Sequence, residues 1–144
     1  MIAPPRIEIQ MDAAIQVINE ILEDLKKKTA PAMAEDDFFE LFSAEQVLRR
    51  MRLTPSSIDD GITRGGDDGG IDAAYIFVNG RMLSGDVKPE DFEHYKKNVT
   101  LDWIIIQATR ESSFKEDVLP KIQNTVSDIL NVTIDTKTLR KTYN

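Results

Sequence analysis

The sequence contains no cysteine and a single histidine, His94. A disulfide scaffold and a thiolate zinc site are therefore excluded, and so is a histidine-rich metal site. Hydrophobic runs are short, and none approaches the roughly 18 residues that a membrane span needs. The first five residues, Met-Ile-Ala-Pro-Pro, lack the basic-then-apolar layout of a secretion signal, so we expect a cytoplasmic location and no membrane partner.

Positive charge is also scarce, because 18 lysines and arginines stand against 25 aspartates and glutamates, for a formal charge of −7. This balance argues against a protein that coats nucleic acid, since such affinity comes mainly from cationic contacts to phosphate. The chain does have 144 residues, 41% of them hydrophobic, which is enough for one domain with a core. We therefore predict a single domain over residues 1–144.

The first half of the chain predicts two helices and a loop. Apolar residues spaced three and four apart predict a first helix over 12–28 with one buried stripe, and a second helix over 36–51. The segment Thr-Pro-Ser-Ser at 54–57 is expected to end the second helix. Residues 58–70 are rich in aspartate and glycine, which predicts a loop with a short strand at 62–63.

The second half predicts a small sheet followed by helices. A strand over 71–78 ends in Asn79-Gly80, the dipeptide of type I′ turns, so residues 81–83 should return as a hairpin partner. Residues 101–108 are apolar on both faces, which favours a central strand covered on both sides. Three further features predict the C-terminal part: Ser112 or Ser113 as a helix cap, a kink or late start at Pro120, and a short helix over 136–143. The predicted class is α/β, with a small mixed sheet flanked by helices.

Two polar residues lie where predicted strands begin and end. Asp72 follows Asp68-Gly69-Gly70-Ile71, and Gln107 comes near the end of the apolar strand. If the two strands are neighbours, the carboxylate and the amide oxygen can converge on one point. Such hard oxygens are the ligands that Mg²⁺ requires, and glycines beside them leave room for a phosphate backbone. On spacing alone, a turn with acids is the simpler interpretation, and Asp67 and Asp68 fit the role of turn-stabilising residues.

The segments 69–72, 79–80, 104–108 and 112–114 together resemble the N-terminal domain of abortive-infection phage-resistance proteins. That domain is similar to restriction-endonuclease-like nucleases, whose core pattern is an acid, a variable gap, and then Glu/Gln-x-Lys. The resemblance covers roughly residues 10–143. It implies a restriction-endonuclease-like core and Mg²⁺ or Mn²⁺ as cofactor.

The resemblance also assigns roles to individual residues. It implies that Asp72 and Gln107 bind the metal and that Ala108 contributes its backbone carbonyl. It further implies a glutamate from an upstream helix, for which Glu40 and Glu45 are the candidates, with Glu40 slightly favoured.

The position of the expected lysine, two after Gln107, is occupied by Thr109. A threonine hydroxyl can bond to water, but it carries no charge to offset that of the reacting phosphate. The lysine could have moved, with Lys115 as the nearest candidate; Arg110 could substitute, although its side chain should face away. The domain could instead be a degraded nuclease that still binds a metal or a partner, and an engineered change or a wrong register would also give this pattern.

The sequence therefore predicts a metal-dependent nuclease-like domain acting on phosphodiester bonds of nucleic acid in phage defence, with activity weakened at Thr109. The alternative is an inactive binding or assembly module with the same fold. Because members of the family are much larger, we expect residues 1–144 to be an N-terminal fragment that needs further domains for nucleic-acid affinity. Such a fragment could also form a homodimer through a surface that the missing part normally covers.

Overall fold

A computed structural model describes residues 6–64, 69–110 and 115–142 of the chain. The residues predicted to stabilise a turn or to cap a helix lie outside these ranges: Asp67, Asp68, Ser112 and Ser113. The described part contains helices α1 (Arg6–Thr29), α2 (Glu35–Leu48), α3 (Pro55–Asp60), α4 (Val118–Leu130) and α5 (Thr136–Thr142), strands β1 (Ala73–Val78), β2 (Arg81–Met82) and β3 (Leu101–Ile106), and short 3-10 turns at Arg49–Met51 and Pro89–Phe92. None of the helices in these ranges combines the length and apolar character that crossing a bilayer requires.

The chain divides into two compact units. The helical unit comprises Met1–Phe39 and Thr109–Phe114, and the sheet unit comprises Glu40–Ala108 and Lys115–Asn144. Because the division falls within α2, that helix begins in one unit and ends in the other. The organisation of residues 1–144 as a single domain stays a prediction.

Among residues 13–29 of α1, whose side chains the structure describes, one is buried and not the full stripe that the sequence predicts. Leu22 is buried and, with Phe38 of α2, lines a small apolar pocket, whereas Ile18 and Ile21 are about half exposed. The prediction of a wholly buried stripe was therefore wrong for these residues. The physical reason is that a helix buries only the part of its apolar face that meets a neighbour.

The three strands described in the sheet unit form an antiparallel sheet in the order β2-β1-β3. The prediction of a mixed sheet is therefore wrong for these strands. The turn between β1 and β2 is the expected one, because Asn79 and Gly80 both have positive φ, of 49° and 78°. Asn79 also joins β1 to β3, since its N–H donates to the Thr100 carbonyl (2.8 Å) and its Oδ1 accepts from the Thr100 N–H (2.9 Å). The hairpin prediction is confirmed.

The central strand of this sheet is β1, and not the apolar segment 101–108 as the sequence predicted. β3 pairs with β1 over its whole length, from Ala73 opposite Ile106 to Val78 opposite Leu101, and it is an edge strand of the sheet formed by the described residues. Ile106 is buried, whereas Leu101 is 61% exposed. The prediction failed because a run of β-branched residues indicates a strand but does not report how many neighbours that strand has.

The core of the sheet unit lies on one face of β1. It consists of alternate residues of the sheet together with side chains from α2, α3 and the segment before β1: Ala44, Leu48, Ile58, Ile62, Ala73, Tyr75, Phe77 and Ile106. Tyr75 is 1% exposed, and its hydroxyl donates to the Ile58 carbonyl at 2.5 Å. Burial of its ring is therefore accompanied by a hydrogen bond for its one polar atom.

Helix α3 was not predicted, because Thr54 and Pro55 were interpreted as the end of the preceding helix. The structure shows them as the beginning of a new one. The Thr54 hydroxyl accepts from the Ser57 N–H at 3.2 Å, and Pro55 occupies the first helical turn, where a missing N–H costs nothing. Farther along, Ile62 forms a single bridge to Ala73 instead of a short strand.

The C-terminal helices agree with the sequence-based expectation. α4 begins at Val118, so Pro120 lies in its first turn, and the late start expected from this proline is confirmed. α5 follows after Asp135, whose Oδ1 accepts from the N–H groups of Lys137 and Thr138. These backbone hydrogen bonds, with one from the Thr138 hydroxyl, lower the pKa of Asp135.

Candidate functional site

Asp72 is held by hydrogen bonds on both edges of its backbone. Its N–H donates to the Ile106 carbonyl and its carbonyl accepts from the Thr63 N–H, each at 2.9 Å. Its side chain is also fixed, because Oδ2 accepts from the Ala108 N–H at 2.6 Å. A carboxylate oriented by a backbone donor is preorganised, so little conformational freedom remains to be lost when a ligand binds.

Gln107 directly follows β3, and Asp72 directly precedes β1. The last pair of the β1-β3 ladder is Ala73 with Ile106. The Asp72 N–H donates to the Ile106 carbonyl and Asp72 Oδ2 accepts from the Ala108 N–H, so Asp72 contacts the residues on both sides of Gln107. The structure therefore places Asp72 and Gln107 at the same end of the β1-β3 ladder.

The amide of Gln107 has one satisfied end and one unsatisfied end. Its Nε2 donates to the Ala108 carbonyl at 3.1 Å, which assigns the orientation of the amide. Its Oε1 is buried and accepts no hydrogen bond from the described part of the protein. A buried acceptor without a donor lowers the stability of the fold by about 1–3 kcal/mol, so a donor or a cation bound to this oxygen would be stabilising.

A glycine turn leads into Asp72. Gly69 and Gly70 have φ of 67° and 79°, a region that residues with a Cβ rarely adopt. The buried hydroxyl of Thr125 on α4 donates to the Gly69 carbonyl at 2.8 Å, and the Thr63 hydroxyl bonds to the Ile71 carbonyl. The backbone on the N-terminal side of Asp72 is therefore fixed by contacts to two other segments.

The candidate helix acids, Glu40 and Glu45, lie on the part of α2 that belongs to the sheet unit. Both are half-buried, and they flank the core-facing positions Ala44 and Leu48 from opposite sides, as a separation of five residues requires. Within the described residues, the structure gathers no group of three or more acidic or histidine side chains suited to a metal. The choice between the two glutamates stays a prediction.

The structure places Thr109, which occupies the expected lysine position, and the two candidate replacements, Arg110 and Lys115, in different surroundings. Thr109 is half-buried and begins the second segment of the helical unit. Arg110, within that unit, forms ion pairs with Glu35 (3.2 Å) and Asp36 (3.8 Å), so its guanidinium already has acidic partners. Lys115 is exposed and precedes α4 by three residues, whereas the sequence predicted it on the helix itself.

Sequence reasoning missed the residues that support the site. Thr63 and Thr125 are ordinary threonines in the sequence, and their hydroxyls bond to carbonyls 8 and 56 residues away. Thr125 does leave a signal, since it is a polar residue between Ile122 and Val126 on the apolar side of α4 and is 2% exposed. A buried hydroxyl in such a stripe needs a partner, which here is the glycine turn.

No protein-family model, no curated protein and no solved structure matches this chain.

Proposed function

We propose that the sheet unit is a divalent-cation site of the restriction-endonuclease-like kind, acting on phosphodiester bonds of nucleic acid with Mg²⁺ or Mn²⁺. The single observation that carries the proposal is that a preorganised carboxylate, Asp72, bonds to the N–H of Ala108 while the preceding residue, Gln107, has a buried, unsatisfied Oε1. The mixed α/β organisation with its three-stranded antiparallel sheet is consistent with this class at the coarse level.

The residues present fit such an ion. Carboxylate, amide and backbone carbonyl oxygens form a hard donor set, which is what Mg²⁺ selects. Asp72 and Gln107 would hold the metal, with the Ala108 carbonyl and either Glu40 or Glu45 as further ligands. When bound, the ion would lower the pKa of a water molecule and stabilise the charge on the leaving oxygen.

The protein's own contribution is to position these oxygens. The Ala108 N–H orients the Asp72 carboxylate, and the Ala108 carbonyl orients the Gln107 amide so that Oε1 points away from that bond. An oxygen that accepts one hydrogen bond retains a second lone pair. Gly70 carries no side chain, and the methylene groups of Lys121 occupy the space beside it.

A second candidate function is an inactive module of the same fold that binds a partner. Two observations favour it: Thr109 carries no charge, and both Asp72 Oδ2 and the Ala108 carbonyl are engaged in hydrogen bonds within the site. A site in which N–H groups of the protein already bond to two of the oxygens can be retained for its stability alone. This candidate predicts partner binding that is indifferent to Asp72→Ala and no cleavage with any metal.

Thermal unfolding with and without Mn²⁺ tests the proposal directly. A ligand at ten times its Kd stabilises the native state by about 1.4 kcal/mol, which corresponds to a rise of about 4 °C in Tm for a chain of this size. We expect this rise in the wild type and its loss in Asp72→Asn, which can still accept the Ala108 hydrogen bond. Asp102→Asn, at an exposed position of β3, is the matched control and should behave as the wild type.

Cleavage assays then separate the two functions. Metal-dependent hydrolysis of DNA or RNA oligonucleotides that is lost in Asp72→Ala, with the fold retained, supports the nuclease. A metal-induced rise in Tm without hydrolysis supports the inactive module. No rise in Tm at millimolar Mn²⁺ would contradict metal binding in either form.

A further inference from the structure

Helix α4 lies directly over the glycine turn that precedes Asp72. A Cβ built on Gly70 would be 3.1 Å from Cδ, 3.4 Å from Cγ and 3.7 Å from Cβ of Lys121. Three consecutive carbons of the lysine side chain therefore run along the backbone of Gly70, and only a residue without a side chain gives them this space.

The position of Lys121 is fixed by the next turn of α4. The Thr125 hydroxyl, one helical turn later on the same face, bonds to the Gly69 carbonyl (2.8 Å) and to the Lys121 carbonyl (2.9 Å). Because Thr125 is 2% exposed, these bonds are shielded from water. The helix is thereby anchored to the turn at Gly69, and the lysine lies beside Gly70, two residues before Asp72.

Lys121 is exposed, although three of its side-chain carbons lie against Gly70. A lysine commonly packs its methylene groups on a surface and keeps its charged end exposed. Among the described residues, no carboxylate forms an ion pair with Lys121. Within those residues, no acidic partner offsets its charge.

We propose that Lys121 contacts the substrate phosphate at the Asp72 site and supplies the positive charge that Thr109 lacks. This inference rests on the proposed function and assigns a phosphate-binding residue to the same site. An ammonium is a compact point charge suited to a phosphate oxygen. Lys121 differs from the two candidates named from the sequence, because Arg110 is already paired with acids and Lys115 lies before helix α4.

Lys121→Met and Lys121→Arg test the proposal, because methionine retains a flexible apolar stem and arginine retains the charge. Lys137→Met, on an exposed position of α5, is the matched control. Each protein is assayed with fluorescent DNA and RNA oligonucleotides in Mn²⁺ for cleavage rate and for Kd as a function of salt, and by thermal unfolding with Mn²⁺ alone.

We expect Lys121→Met to lower the cleavage rate by about 10²-fold or more, with the metal-induced rise in Tm unchanged. Its Kd for the oligonucleotide should weaken, and its salt dependence should fall by about one phosphate contact. Lys121→Arg should remain within about tenfold of the wild type, and Lys137→Met should equal it. The unchanged metal response separates loss of a phosphate contact from damage to the fold or to the metal site.

Two outcomes overturn the inference, and they are distinguishable. If Mn²⁺ raises Tm in the wild type but Lys121→Met cleaves and binds oligonucleotides as the wild type does, the role of Lys121 is wrong while the metal site stands. A wild type that shows the rise but neither binds nor cleaves oligonucleotides overturns both the role of Lys121 and the action on nucleic acid, while the metal site stands. If Mn²⁺ does not stabilise the wild type at all, the proposed function itself fails, and this inference fails with it.

Discussion

Gly61 has no room for a side chain. A Cβ at this position would lie 2.1 Å from Cε1 and 2.5 Å from Cδ1 of Tyr75. The ring of Tyr75 is buried in the core and hydrogen-bonded at its far end, so it cannot move aside. Gly61 is therefore required by packing, since its φ of −91° suits any residue.

We expect Gly61→Ala to lower the free energy of unfolding by about 1–3 kcal/mol, the usual cost of forcing extra volume into a packed core. Gly85→Ala is the control, because a Cβ on Gly85 meets no atom within 4 Å. That variant should stay within about 0.5 kcal/mol of the wild type in urea unfolding. Equal effects of the two substitutions would contradict the packing argument.

Because of Tyr75, the free energy of unfolding should decrease when the pH becomes high. Burial, with a smaller contribution from the charge of Asp59, raises the pKa of Tyr75 to about 12. The unfolded chain ionises this phenol near its ordinary pKa of about 10, whereas the folded chain keeps it neutral. The stabilisation by a neutral Tyr75 is therefore complete below pH 10 and is lost progressively as pH rises toward 12.

Tyr75→Phe isolates this dependence. At pH 9 the variant should be less stable by about 0.5–1.5 kcal/mol, because it lacks the hydrogen bond to the Ile58 carbonyl. Between pH 10 and 12 the wild type should lose up to about 1.4 kcal/mol per pH unit through this group, and the variant should not. The difference in free energy of unfolding should therefore shrink as pH rises and change sign before pH 12; a constant difference would contradict the assignment.

At the scale of elements, the sequence predicted the structure most accurately where the residue types favour a single backbone conformation. Asn79-Gly80 predicted the β1-β2 turn because few other residues accept positive φ at two successive positions. The beginning of α3 was missed because Thr54-Pro55 is equally typical of a helix start and of a break after a helix. The edge position of β3 was missed because strand neighbours are decided by tertiary packing, which a single segment does not report.

The two glutamates of α2 give a test at this scale. Glu40 and Glu45 flank the core-facing side of the helix from opposite directions, so both cannot face one ion. We expect one of Glu40→Gln and Glu45→Gln to reduce the Mn²⁺-induced rise in Tm and the other to leave it unchanged. Unfolding without metal provides the control for stability, and two variants that both respond as the wild type does would remove α2 from the site.

At the scale of the whole molecule, the coarse α/β class followed from the order of elements, whereas the division into a helical and a sheet unit did not. The supports of Asp72 could not be predicted either, because Thr63, Ala108 and Thr125 act through a backbone N–H or a hydroxyl that many residues could supply. The net charge of −7 disfavours tight binding to nucleic acid, and the expectation that further domains supply positive surface stays a prediction. Homodimer formation stays a prediction.

The β1-β3 ladder is clamped at both ends, by Asn79 with Thr100 and by Asp72 with Ala108. The alignment of the two strands therefore does not depend on the length of the intervening connection after β2, most of whose described residues are exposed. That connection is the natural place to insert a reporter peptide or to nick the chain, because the severed pieces would still recognise each other through the paired strands. Insertions that lengthen this connection should likewise leave the hydrogen bond between Asp72 and Ala108 in place.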